Sequence, residues 1–426
     1  MKKIISLISL CSILFLVSCA KHVEEPTLRL LIGGMQQPSE KTFFRLFVRV
    51  FEAEYDINVE VIYDNPDNLY NVISGELISG EFETDLIMVD TAHIKPFIES
   101  DIMQDLSWID TYPDRTITDI FNDYTHQAGN RYFVPISYDV YMSIYHKDIL
   151  PFLPSTVEVE RNDLNEITEI KSITWEDFFE TARNAKSSLN ESVFGFPYAQ
   201  VSSQLIYPIS GMILSMGDYQ LPSFYNTESF KVWQMIESLY DDGALMTGNQ
   251  LNQMNQPTDS LNNNILKMSF GHMGPIGTAY QANPNRYVLG PAPKSAETGY
   301  MGTTAGAWTY GMIKYSKQLA LAEKWIEFIT DPEINYMYTS GLGGVMSPIQ
   351  EVIHKLDETP TDQIMKIGLS MVQSPIRISI VVTDDFTSWD QVKRLYVSLY
   401  QDMIDGETIT MRELSSYQNQ LESLKK

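Results

Sequence analysis

The sequence predicts an α/β protein of two lobes, each a mostly parallel sheet flanked by helices, with strands crossing between them. Three observations carry this. At 426 residues the chain is too long for one average domain. Residues 27–89 alternate strand, helix, strand, helix, strand, which implies right-handed crossovers and a parallel sheet. A tyrosine-rich segment, Tyr132 to Leu150, then leads from this block into a second one.

Taken in order, Thr27 to Ile32 reads as a strand ending in Gly33-Gly34. Ser39 is a candidate N-cap for a helix whose apolar face is Phe44, Phe47, Val48 and Phe51, spaced i, i+3, i+4, i+7. Asn58 to Tyr63 is a second strand, Leu69, Val72 and Ile73 mark a second helix, and Asp85 to Val89 is a third strand. That third strand is apolar after its Asp, as expected when both faces are covered. In such sheets ligands lie beyond the carboxyl ends of the strands, here Gly33 to Gln37, Tyr63 to Asn65 and Asp90 to His93.

The segment Tyr132 to Leu150 is aromatic and β-branched, so it reads as a strand broken by Pro135, with Asp139 at its mouth. Asp139 is either a ligand-contacting acid delivered into an interlobe cleft or a solvated acid on an ordinary strand. Asn162 to Lys171 is an exposed loop or short hairpin, and Thr174 caps a following helix. Gln200 to Met216 and Thr227 to Tyr240 are helical, and Gly248 to Asn264, rich in Asn and Gln, is a surface loop. Ile265 to Phe270 is a strand running into a turn at Gly271 to Pro275. Tyr287 to Pro293 reads as a second crossing, Ala305 to Ile313 as a strand, and Ser316 as the cap of a helix reaching Thr330. Gly341 to Gly344 mark a third crossing, and Trp389 to Ile404 and Met411 to Leu424 are the clearest late helices.

A formal charge of −25 argues against nucleic acid as a partner, because its phosphates would be repelled. Lys2 and Lys3 precede an apolar run from Ile4 to Val17, the size of a signal-peptide core and too short for a bilayer-spanning helix of about 20 residues. The run ends in Leu16-Val17-Ser18-Cys19, which resembles the lipobox of bacterial lipoproteins and implies an acylated Cys19. The other cysteine, Cys11, lies in the segment to be removed, so no disulfide or free thiol is expected. The body is therefore expected to be exported and tethered to a membrane through lipid alone.

Covalent chemistry finds no machinery here: no thiol, no G-x-S-x-G elbow, no H-E-x-x-H helix. Asp90 and His93 fall short of the three or four ligands of a zinc site, and Gly341 to Gly344 lacks the Lys-Ser/Thr of a phosphate loop. No catalytic residue, metal or cofactor is expected. Non-covalent recognition of a sugar fits better: carboxylates, amides and imidazoles pair with hydroxyls, and aromatic rings stack on the C–H face. The strand-end loops carry that mixture in Gln36, Gln37, Asp64, Asn65, Asp90, His93, Asp139 and His272. Each is either a ligand contact or a solvated or backbone-capping group. Among six tryptophans, Trp233 and Trp325 sit on apolar helix faces and Trp175 opens a helix. Trp308 and Trp389 are the stacking candidates, with core packing the alternative.

In order and spacing, several stretches resemble the extracellular solute-binding proteins of ABC importers, the family that includes maltose-binding protein. They are Phe51 to Val61, Asp85 to Asp90, Phe133 to Pro151, Thr174 to Phe178 and Ser316 to Ile329. The resemblance covers essentially everything after Cys19. It implies a two-lobed fold of the periplasmic-binding-protein type II kind that closes on ligand like a hinge. It divides the chain into a leader (1–18), a tether (19–26), lobe 1 (27–135 and 288–343) and lobe 2 (136–287 and 344–426). Asp139 matches a sugar-contacting carboxylate of the maltose-binding relative, Trp389 falls at its stacking Trp, and Gln36 and Asp90 lie near polar sugar contacts. Gly274 stands where that relative has a stacking Trp, and residues 155–173 are longer, so a maltodextrin ligand is not implied. The implied role is a monomeric, lipid-anchored subunit that hands a carbohydrate to ABC permease transmembrane subunits. A cationic solute such as a polyamine, and a sensor subunit serving a receptor, are the alternatives.

Overall fold

In the computed structural model, which describes residues 26–35, 38–197, 204–217, 221–248, 251, 257–380 and 383–426, the first five elements fall where periodicity puts them. Cys19 and its leader, and Gln36 and Gln37, lie outside the described residues. β1 (Thr27–Ile32), α1 (Pro38–Tyr55), β2 (Asn58–Tyr63), α2 (Leu69–Ser79) and β3 (Leu86–Asp90) form one unit. β1 pairs in parallel with both β2 and β3. The α1 face Phe44, Phe47, Val48 and Phe51 is buried, and Phe51 meets the ring of Trp325 edge-on at 5.0 Å. The first four residues of β3 are buried and its last, Asp90, is half-buried at the strand's open end.

β4 (Val134–Asp139) and β5 (Tyr141–His146) are separated by Val140 alone. β4 joins the first sheet and β5 the second, so the first crossing falls at Asp139-Val140, four residues later than the expected boundary at 135/136. Next come the hairpin β6 (Glu158–Arg161) and β7 (Ile167–Ser172), then α3 (Trp175–Leu189), α4 (Ile206–Met216) and α5 (Thr227–Asp241). Thr174 caps α3 as expected, its hydroxyl accepting from the Asp177 N–H at 3.0 Å. β8 (Met268–His272), α6 (Met273–Ala282) and β9 (Tyr287–Gly290) complete the second sheet, ordered β8-β5-β9-β7-β6. Its β5–β8, β5–β9 and β6–β7 pairs are antiparallel and only β7–β9 is parallel. The mostly parallel expectation therefore holds for the core of the first sheet and not for the second, where a hairpin can pair only antiparallel.

Three further local expectations are corrected. The loop expected over residues 248–264 contains a short helix, Pro257–Asn262, that buries Leu261. The glycine turn at 271–275 is the entry to α6 rather than a loop. Tyr287–Gly290 is not a crossing, since β9 pairs with β5 and β7 inside the second sheet.

The second crossing is made by β10 (Met301–Met312), which continues through both halves of the molecule. Its later half pairs antiparallel with β3 and β4, and its first five residues pair in parallel with a strand near the C-terminus. That early half packs tightly on α4: a Cβ on Gly302 would lie 2.1 Å from the Gly211 carbonyl oxygen. α7 (Leu319–Thr330) and α8 (Pro332–Gly341) follow, separated by Asp331, whose side chain caps α8. Ser316 does not cap α7 directly; its hydroxyl donates to Asp85 at 2.5 Å and accepts from the Gln318 N–H. The third crossing runs through Gly343 and Gly344, at φ +88° and +85°. Glycine suits these left-handed backbones. α9 (Pro360–Val372), β11 (Ile376–Ile380), α10 (Trp389–Ile404) and α11 (Met411–Glu422) close the chain against the second core. Trp175, Trp233 and Trp325 are all fully buried.

Candidate functional site

A cleft of about 660 Å³ opens beyond the carboxyl ends of the parallel strands, between the two sheets. That lies in the range of about 300–1,000 Å³ usual for small-molecule sites. Asn65, Asp90, His93 and Trp308 line one wall, and Tyr207, His272 and Trp389 the other. Six of the sequence candidates thus meet in one place.

The first wall is organised by the end of β3. Asp90 caps the short turn Thr91–His93, accepting from the Ala92 N–H at 2.8 Å. Burial raises its carboxyl above the usual range, while the Ala92 N–H and the imidazoles of His93 and His272 act against that rise. Trp308 is the register partner of Asp90 across β3 and β10. Its indole lies against Gly34, where a Cβ would sit 2.6 Å from the ring. Gly306, two residues back on the same face, leaves Asp90 open to the cleft; a Cβ there would come within 3.1 Å of Asp90 Oδ2. His93 Nδ1 lies 3.2 Å from the Thr383 hydroxyl and its Nε2 3.7 Å from Asp67 Oδ1.

The opposite wall is aromatic. Trp389 opens α10 behind the cap Ser388, and its indole N–H donates to the Tyr207 hydroxyl at 3.2 Å. Phe386 packs beside it, centroids 5.7 Å apart. Burial pushes the Tyr207 phenol up to about 12; the Trp389 N–H works against this, and Asp90, Asp390 and Asp67 add to it. The His272 ring sits 4.2 Å from that of Tyr141. Burial lowers its basicity despite the neighbouring Asp139 and Asp90, so the ring is held toward its neutral form.

Two sequence candidates are not among the residues lining this cleft. Asp64 accepts from the Asn65 N–H and the Asn68 amide, both at 2.7 Å. Asp139 turns to the N-terminus of α6, accepting from the Met273 N–H at 2.7 Å and the Gly274 N–H at 3.3 Å. Its carboxyl is raised by burial, opposed by His272 and these backbone donors. Asp139 is thus engaged as a helix cap that ties the first crossing to α6.

Sequence reasoning missed Tyr207, Phe386 and Thr304. Thr304, Gly306 and Trp308 alternate along β10, so a strand read from Met301 rather than Ala305 would have put Thr304 on the cleft face. Tyr207 had no comparable signal on an apolar helix. Among the described residues, no three His, Cys, Asp or Glu side chains converge as a metal site would require.

Two α/β lobes, linked by three crossings and lined between them with rings, amides, imidazoles and carboxylates, define the class of proteins that hold a small solute in an interlobe cleft. Residues 33–336 match the family described as bacterial extracellular solute-binding protein, and the chain belongs to that family. The protein is therefore of an exported kind, and no helix among the described residues is long and apolar enough to cross a membrane. Its fold is similar to that of maltose-bound MalE3 of T. maritima, at 16% identity and a TM-score of 0.69, covering 93% of this chain and 99% of that one. It is also similar to the sugar-binding protein MalE of Xanthomonas citri, at 14% identity and a TM-score of 0.70 (93% and 98% covered). A third similar structure is Lmo0181 of Listeria monocytogenes in complex with cycloalternan, at 15% and 0.68 (94% and 99%).

Proposed function

We propose that the chain is the substrate-binding component of an ABC importer, capturing a carbohydrate between its lobes and presenting it to a membrane permease. The observation that carries this is the pairing of Trp308 and Trp389, one from each wall, in a cleft also lined by Asn65, Asp90, His93 and His272. Rings stack on the C–H faces of a sugar and the polar groups meet its hydroxyls. The solved relatives with maltose and cycloalternan bound support the same class of ligand. A stacked ring contributes about 0.5–1.5 kcal/mol beyond its buried area. Two rings and several hydrogen bonds are needed to approach the about −8 kcal/mol of micromolar binding.

In this reading the first lobe comprises residues 27–139, the later part of β10, α7 and α8. The second comprises 141–300, the early part of β10 and the chain after Gly344. Closure turns on the three crossings, and Cys19 carries the lipid that keeps the protein beside its permease. Calorimetric titration with a panel of neutral mono- and oligosaccharides tests the proposal, with Trp308→Ala and Trp389→Ala as variants. Each should weaken binding of the best saccharide about tenfold while the fold stays intact. Absence of binding to any saccharide would sink it.

A further inference from the structure

The carboxylates of the cleft exceed its cations. Asp67, Asp90 and Asp390 all line it, and among the described lining residues Lys393 is the one lysine or arginine. Lys393 is already occupied, its ammonium 2.6 Å from Asp390. Asp67 has the His93 imidazole 3.7 Å away, and Asp90 is held by the Ala92 N–H. The other nearby imidazole, His272, is biased by burial toward neutrality and supplies little countercharge. A carboxylate half-withdrawn from water calls for a cationic partner or for strong donors.

A second observation at the same floor points to a ligand. The Thr304 hydroxyl, on the cleft face of β10 two residues before Gly306, is 2% exposed and meets no hydrogen-bonding partner in the structure. A buried hydroxyl left unpaired is a cost that a bound group can remove. Gly306 lies between Thr304 and Trp308, the register partner of Asp90, and adds no side chain, so Thr304 and Asp90 line the same cleft with no bulk between them on that face.

Resting on the carbohydrate reading above, we propose that the solute is a saccharide bearing a positively charged amino group. Its ammonium docks on the floor beside Asp90 and Thr304, within the field of Asp67. An ammonium has donors only, which suits a carboxylate and a hydroxyl oxygen. Uronic, sulfated or phosphorylated saccharides meet the carboxylates of Asp67 and Asp90 and are rejected, so charge serves here as negative selection.

The test is calorimetric titration of the full chain at pH 7 with β-1,4-linked glucosamine oligosaccharides, their N-acetylated counterparts, maltose, oligogalacturonate and spermidine. The glucosamine series should bind at least tenfold tighter than the N-acetylated series, and oligogalacturonate should not bind. Asp90→Asn keeps an acceptor for the Ala92 N–H, so it should leave the melting temperature unchanged while reducing the preference to under threefold. Asp67→Asn should reduce it partly. If maltose or the N-acetylated series binds as tightly as the amino series, the charge inference is overturned and the carbohydrate reading survives. Binding of spermidine without any saccharide overturns both. Failure of every amino saccharide to bind overturns the inference, as does a preference that persists in Asp90→Asn.

Discussion

Asp139→Ala is expected to lower thermal stability while leaving the cleft able to bind. The side chain accepts from the Met273 and Gly274 N–H groups at the first turn of α6. Those are donors that the helix itself cannot satisfy. Loss of an N-cap side chain costs about 1 kcal/mol, and up to about 2 in folded proteins. Removal of a negative charge from a helix N-terminus adds about 0.3–1 kcal/mol. Relief of the carboxylate's burial returns part of this, since burial is what raises its pKa. The net is about 2 kcal/mol, roughly 4–8 °C at about 2–4 °C per kcal/mol for a lobe of this size. Scanning calorimetry measures the shift, and titration with the best saccharide measures affinity, which should change less than threefold. Asp139→Asn, which keeps an acceptor, should lose about half as much. An unchanged melting temperature together with a tenfold loss of affinity would refute the capping argument and restore the ligand role that the family resemblance implies.

Other consequences are open to simpler checks. Gly302→Ala places a Cβ 2.1 Å from the Gly211 carbonyl oxygen and 2.4 Å from the Ser215 nitrogen. It should cost about 3 kcal/mol or more, because backbone cannot yield as a side chain does. Gly75→Ala, in the interior of α2 with nothing within 4 Å of the added carbon, should instead gain about 0.5–1 kcal/mol, both read by chemical denaturation. Burial lowers the basicity of His126, His146 and His272. As pH falls below about 6.5 the unfolded chain takes protons that the folded one resists, so melting temperature should drop. Replacing all three with glutamine should flatten that slope. Asp85, Asp90 and Asp139, raised by burial, act with the opposite sign just above the ordinary carboxylate range, where the folded state binds protons first. Cys19→Ser should move the protein from the membrane to the soluble fraction; continued sedimentation with membranes would count against lipidation.

Elements whose signal is local were legible in the sequence. Phe44, Phe47, Val48 and Phe51 declare one helix face, and the apolar run of β3 declares a strand covered on both sides. What was not legible depends on partners far along the chain. The extent of β10 follows from pairing its first half with β11, some 75 positions later, and its second half with β3 and β4. Helix α6 begins in a Gly-Pro stretch that reads as a turn, and it is secured by a carboxylate 134 positions earlier. Strand ends are local signals, and the residues they mark, Asn65, Asp90 and His93, line the cleft. For Asp139 the sequence marks a position at the end of a crossing strand, and the backbone donors of α6 that engage it come from 134 and 135 positions away. Tyr207 and Phe386 became visible only when packing against Trp389 brought them to the same wall.

β10 has one further consequence, for the order of events in binding. In the proposed closure, a strand shared by both lobes lets them swing about a point near Gly306, which pairs with Asp139 at the first crossing, but resists sliding along its length. Groups beside that point, Asp90 and Thr304, then move little as the lobes part, whereas Trp389, on the opposite wall, is carried with its lobe. In that motion a solute that reaches the floor is met by the outer walls only as the lobes close. Changes at the floor should therefore be felt in the association rate, and changes at the outer walls in residence time.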